Sequence, residues 1–181
     1  MRYTIAGLLL ASACSHSDAT DKAQPAAAPA PRSASADNDD ATAALDCAAD
    51  ISSADIKGLL AAPFKTQTLN ADSDKNGCSF QAVHFAAVRV YLSIDGDYHP
   101  DYAMARVSGN IALLAGVGDK ALRGTSSFTN VVAVKGRAEC TIELAGVGNV
   151  DSEAELVPQS QEIREQKLGA ICTKLFAAKK L

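Results

Sequence analysis

The chain has 181 residues, with 17 lysines and arginines against 21 aspartates and glutamates, for a net charge of −4. Phosphate binding needs a clustered basic face, and a mildly acidic chain offers none, which argues against nucleic acid as a partner. Tryptophan is absent and aromatics are 5% of residues, which argues against a stacking platform for sugars as well.

Residues 1–13 read "MRYTIAGLLLASA". Arg2 supplies a positive start, 5–10 a short apolar run, and Ala11, Ser12 and Ala13 a small-residue cleavage region. A run this short falls below the roughly 20 residues that span a bilayer, so it reads as an export signal. Cys14 follows directly, and this arrangement resembles the bacterial lipoprotein signal. That resemblance implies cleavage before Cys14, which then carries acyl chains as the mature N-terminus and anchors the chain to a membrane. Each buried methylene contributes about 0.8 kcal/mol, and two or three chains anchor stably. Ser15 at the next position resembles the outer-membrane default of Gram-negative lipoproteins, which implies an outer-membrane location facing the periplasm. Loss of Arg2 with the signal leaves the net charge near −5.

Residues 14–43 are rich in Ala, Pro, Ser and Asp, as in "AQPAAAPAPRSASADNDD". Such a segment buries too little apolar area to offset ordering entropy and reads as a disordered tether. Pro25, Pro29 and Pro31 extend its reach. Residues 44–181 remain, enough for one domain with a single core.

In that domain "SSADIKGLLAAP" predicts a helix capped by Ser52 or Ser53, with Ile56, Leu59 and Leu60 on one face and Pro63 as its stop. "FKTQTLN" and "CSFQAVHFAAVRVYLSI" predict strands, and Val88, Val90, Leu92 and Ile94 alternate with Arg89, Tyr91 and Ser93. Between them "DSDKNGCSF" sets Asp72, Asp74, Asn76 and Gly77 at the first ligand positions of a calcium loop. The twelfth position of such a loop holds a bidentate glutamate, and here it is Val83. Asn-Gly between apolar alternations instead predicts a hairpin turn, with Cys78 opening the next strand and no metal. Helical spacing returns in "PDYAMARVSGNIALLAG", from Pro100 to a stop at Gly116. Short strands are predicted over 120–123, 128–134 and 137–145, and a closing amphipathic helix over 159–178. Helices and antiparallel strands partly segregated in this way define an α+β class, an antiparallel sheet with packed helices.

Four cysteines lie in the domain, Cys47, Cys78, Cys140 and Cys172. An even count in an exported chain reads as two disulfides, and three pairings are open from sequence. Cys140 falls on the inward face of "AECTIEL", and Cys172 lies on the apolar stripe of the closing helix with Leu168, Ile171 and Leu175. The pairing expected is Cys140 with Cys172 and Cys47 with Cys78. A four-thiolate zinc site lacks any short Cys-x-x-Cys spacing.

"IDGDYHPD" gathers Asp95, Asp97, His99 and Asp101, a carboxylate–imidazole set that would suit a hydrolase. The same residues are ordinary turn and helix-capping chemistry between a strand and a helix. His84 stands alone within a strand, and no nucleophile elbow, P-loop or His-Glu-x-x-His motif is present. The sequence therefore assigns no catalytic residue, no cofactor and no metal.

"LLAGVGDKALRG", then "FTNVVAVKGRAECTIEL", then a closing helix, resembles exported envelope lipoproteins and PknH-type sensor domains. The matching residues are Gly116, Gly118, Asp119 and Ala121, with Cys78, Ser79 and Phe80 as the cysteine–aromatic strand. The resemblance implies extracytoplasmic sensing or binding. The reading is a membrane-anchored, non-catalytic binding module whose ligand is an envelope protein or a small lipid or glycan. A periplasmic inhibitor of a toxic enzyme and a hydrolase using Asp95, His99 and Asp101 are the alternatives.

Overall fold

The computed structural model describes residues 44–72, 75–94, 100–107, 111–124, 129–146 and 150–181. Within them the elements are α1 (Ser53–Lys57), β1 (Lys65–Asp72), β2 (Lys75–Gln81), β3 (Ala87–Ile94), α2 (Pro100–Val107) and β4 (Ile111–Leu113). There follow β5 (Lys120–Gly124), β6 (Thr129–Lys135), β7 (Ala138–Ala145), α3 (Val150–Glu153) and α4 (Gln161–Ala178). The strands form one seven-stranded sheet in the order β1-β2-β3-β7-β6-β5-β4, every pairing antiparallel. Two meanders thus meet at the β3–β7 pair, where Val90 lies opposite Ile142 and Leu92 opposite Cys140. The α+β class expected from the sequence is the observed one.

Neighbouring residues on a strand point to opposite faces, and β7 shows what covers each. Cys140 is bonded to Cys172 of α4 on one face. Glu139, next in sequence, accepts on the other face from the backbone N–H groups of Asp101 (3.3 Å) and Tyr102 (2.9 Å) at the start of α2. The main core lies on the α4 side, built from Val88, Val90, Leu92, Ile142 and Leu144 against Leu168, Ile171, Leu175 and Phe176. The second face is polar along β3, and apolar at Leu122, Val132 and Val134, over the strands that α2 packs on.

The expected disulfide pairs are present, Cys47 with Cys78 and Cys140 with Cys172, closing loops of 31 and 32 residues. The first pins the N-terminal segment to the second strand. The second ties the closing helix to the centre of the sheet. Ser52 caps α1 by accepting from Ala54 N–H at 3.2 Å, and Ser160 caps α4 by accepting from Ile163 N–H at 3.4 Å.

Three local expectations change. The helix predicted through 116 ends at Val107, and Ile111–Leu113 instead pairs with β5. Pairing a free strand edge outweighs helical spacing in three apolar residues that follow a Ser-Gly-Asn break. Asn76 and Gly77 sit inside β2 rather than at its turn, and the β1–β2 register closes at Asp72 opposite Lys75. Gly77 serves packing, because a Cβ there would meet the Tyr91 ring at 2.7 Å. His84, expected inside a strand, lies in the turn between β2 and β3.

Candidate functional site

The β2–β3 turn is closed by Ala82 N–H donating to the Ala86 carbonyl at 2.8 Å, leaving residues 83–85 as its tip. Three-residue hairpin loops place their last residue in the left-handed region, where glycine or asparagine is favoured. Here that residue is Phe85, at φ 77°. A bulky side chain in this conformation costs on the order of 1–2 kcal/mol. Val83 and Phe85 are each 72% exposed, so nothing in the fold recovers that cost through burial.

The strained tip is held from below by a distant segment. Glu155 follows α3, and its backbone carbonyl is fixed by Ala61 N–H at 2.7 Å. Its buried carboxylate turns under the loop. Both carboxylate oxygens lie 2.9 Å from His84 N, Oε2 also accepts from Ala86 N–H at 3.4 Å, and Oε1 lies 3.2 Å from His84 Nδ1. Burial raises the pKa of this group, but the backbone donors and the imidazole outweigh it and hold the carboxyl below its ordinary value. Ser152 of α3 donates its hydroxyl to the His84 carbonyl at 2.5 Å. Gly146 completes the seat: at φ 89° its missing Cβ would lie 3.0 Å from the Ala86 Cα and 2.9 Å from the Ser152 Cβ.

The result is a hydrogen-bonded, protruding, apolar tip with an imidazole at its centre. Val150, 85% exposed, adds a further apolar side chain from α3. Sequence reasoning named His84 but not its partner, since Glu155 lies 71 residues away and belongs to no motif. Phe85 gave one usable signal, a large apolar residue where a hairpin asks for glycine or asparagine.

Of the residues expected to carry a hydrolase, Asp95 and His99 lie outside the described residues, as do Asp97, Cys14 and Asp74. Asp101 is described and opens α2, where its Oδ2 accepts from Thr141 Oγ1 at 2.9 Å. Among the described residues no three His, Cys, Asp or Glu side chains gather into a metal-binding group. Gly118 and Asp119, two residues of the Gly-rich turn, are accounted for by the sheet. Gly118 lies at φ 58° beside the Val134 carbonyl, and Asp119 Oδ2 accepts from Gly136 N–H at 2.7 Å, joining the entry of β5 to the β6–β7 turn. That N–H holds the Asp119 carboxyl below its usual range.

One open groove of about 390 Å³ lies between the 114–117 turn and α4, lined by Leu114, Val117, Ala170 and Thr173. Lys174 at its rim is engaged by Asp55, with Nζ–O distances of 2.7 and 2.8 Å. No protein-family model, curated protein or solved structure matches the chain.

Proposed function

We propose that this chain is an exported envelope lipoprotein, anchored through Cys14, whose single domain is a non-catalytic module binding its partner with the 83–85 tip. The observation that carries the reading is the investment in that tip. A buried carboxylate and a serine hydroxyl hold a strained backbone so that two apolar side chains face solvent. Folding gains nothing from a phenylalanine that is both strained and exposed at position 85, and strain of this kind clusters at functional sites. The two disulfides support an oxidising compartment, in keeping with the export signal.

The test is a double variant of the full chain, Val83→Ser with Phe85→Asn, followed on native gels of the detergent-solubilised envelope. Asparagine keeps the left-handed backbone, so the variant melts at or above the wild-type temperature. The expected result is loss of the wild-type complex. A complex of unchanged abundance from the variant overturns the reading.

A further inference from the structure

Resting on the reading of the 83–85 tip as the binding surface, we infer that its partner is a protein. That partner offers an apolar cleft with a hydrogen-bond donor placed to meet His84 Nε2.

The first step is the shape. Sites for small molecules are concave and enclose most of their ligand. The tip is the reverse, a protruding turn with Val83 and Phe85 each 72% exposed, so the enclosing surface belongs to the partner.

The second step is the imidazole. Glu155 accepts from backbone N–H groups and is ionised, so it has no proton to give. A hydrogen bond to it through His84 Nδ1, at 3.2 Å, therefore needs the ring proton on Nδ1. In the neutral ring this leaves the Nε2 lone pair as a fixed acceptor, on a side chain that is 61% exposed. An acceptor held between apolar side chains is matched by a donor inside an apolar cleft, and a cleft lacking one would leave Nε2 buried without a partner.

The third step is the direction. Ala44, where 43 residues of preceding chain enter the described domain, is held by Lys179 Nζ at 2.8 Å, just past the end of α4. That end of α4 sets Phe176 beside Gly118, at the sheet end marked by the β6–β7 turn. The tip lies at the other end, where Gln81 pairs with Ala87 and Ala87 with Ala145. Eight residues of β7 separate the two ends, roughly 25 Å at 3.3 Å per residue. The tip thus lies at the opposite end of the sheet from Ala44, clear of the point where the preceding chain enters the domain.

The experiment places a photo-crosslinking benzoylphenylalanine at Val83 of the full chain in cells that make it, with Thr66 on the exposed β1 edge as the control position. The expected result is a discrete protein adduct at position 83 and none at 66. His84→Phe, which enlarges the apolar surface and removes the acceptor, lowers its yield about tenfold or more, while His84→Gln, which returns an acceptor, restores part of it. Adducts with lipid or with a second copy of this chain overturn the inference. So does a yield that His84→Phe leaves unchanged or raises, although the tip then stands as a binding surface. Absence of any adduct at position 83 overturns the binding surface itself.

Discussion

The Glu155 carboxylate lies 2.9 Å from the backbone nitrogen of His84, across 71 residues of sequence. That bond fastens the segment after α3 to the turn between β2 and β3, and it makes the tip sensitive to acid. Because the folded-state pKa of Glu155 is depressed below the ordinary 4.5, the stability it contributes is complete above that value. It is lost as pH falls through the folded value. Thermal melts across this range should show Glu155→Met well below wild type at neutral pH, with the gap closing under acid. A gap independent of pH would remove the ionised carboxylate from the account.

Phe85 carries a stability penalty in return for exposure. Phe85→Asn and Phe85→Gly each suit φ 77° and should stabilise the fold by about 1 kcal/mol. Chemical denaturation measures this directly. Stabilisation together with weakened partner binding is the signature of a residue kept for contact rather than for folding.

Each disulfide closes a loop of just over 30 residues. Replacing Cys140 and Cys172 together by alanine should cost about 3–4 kcal/mol in urea unfolding. Replacing Cys47 and Cys78 should cost a similar amount and additionally free the segment 44–51 to proteolysis.

Arg123 Nη1 donates to Glu165 Oε2 at 2.5 Å, and Gln161 Nε2 donates to Oε1 of the same, fully buried carboxylate at 2.9 Å. Arg123→Leu alone strands that charge and should give the lowest melting temperature of the set. The double variant Arg123→Leu with Glu165→Met should recover to near or above wild type, since apolar packing replaces buried ion pairs well.

Much of this architecture is legible in the sequence. The alternation through Val88, Val90 and Leu92, the even number of cysteines and the spacing of Leu168, Ile171, Cys172 and Leu175 lead to the sheet, the closing helix and both disulfides. Where local pattern and tertiary pairing compete, the pattern misleads. Ile111, Ala112 and Leu113 fit a helix by spacing and become a strand because β5 offers an edge. Asn76 and Gly77 carry a turn signal, but Gly77 is there to clear Tyr91. The tip was invisible for a different reason: Glu155 acts through backbone groups of residues far away, and no periodicity or spacing records such a contact.

The Glu155 carboxylate braces the tip from beneath through the His84 and Ala86 amides, as the proposed function requires. Amide hydrogen exchange at His84 and Ala86, compared between the full-length chain and its Glu155→Met variant, tests this most directly. Slow exchange is expected at both amides in wild type, with an acceleration of about 10- to 100-fold in the variant and β3 unchanged. Equal exchange in the two proteins would contradict it.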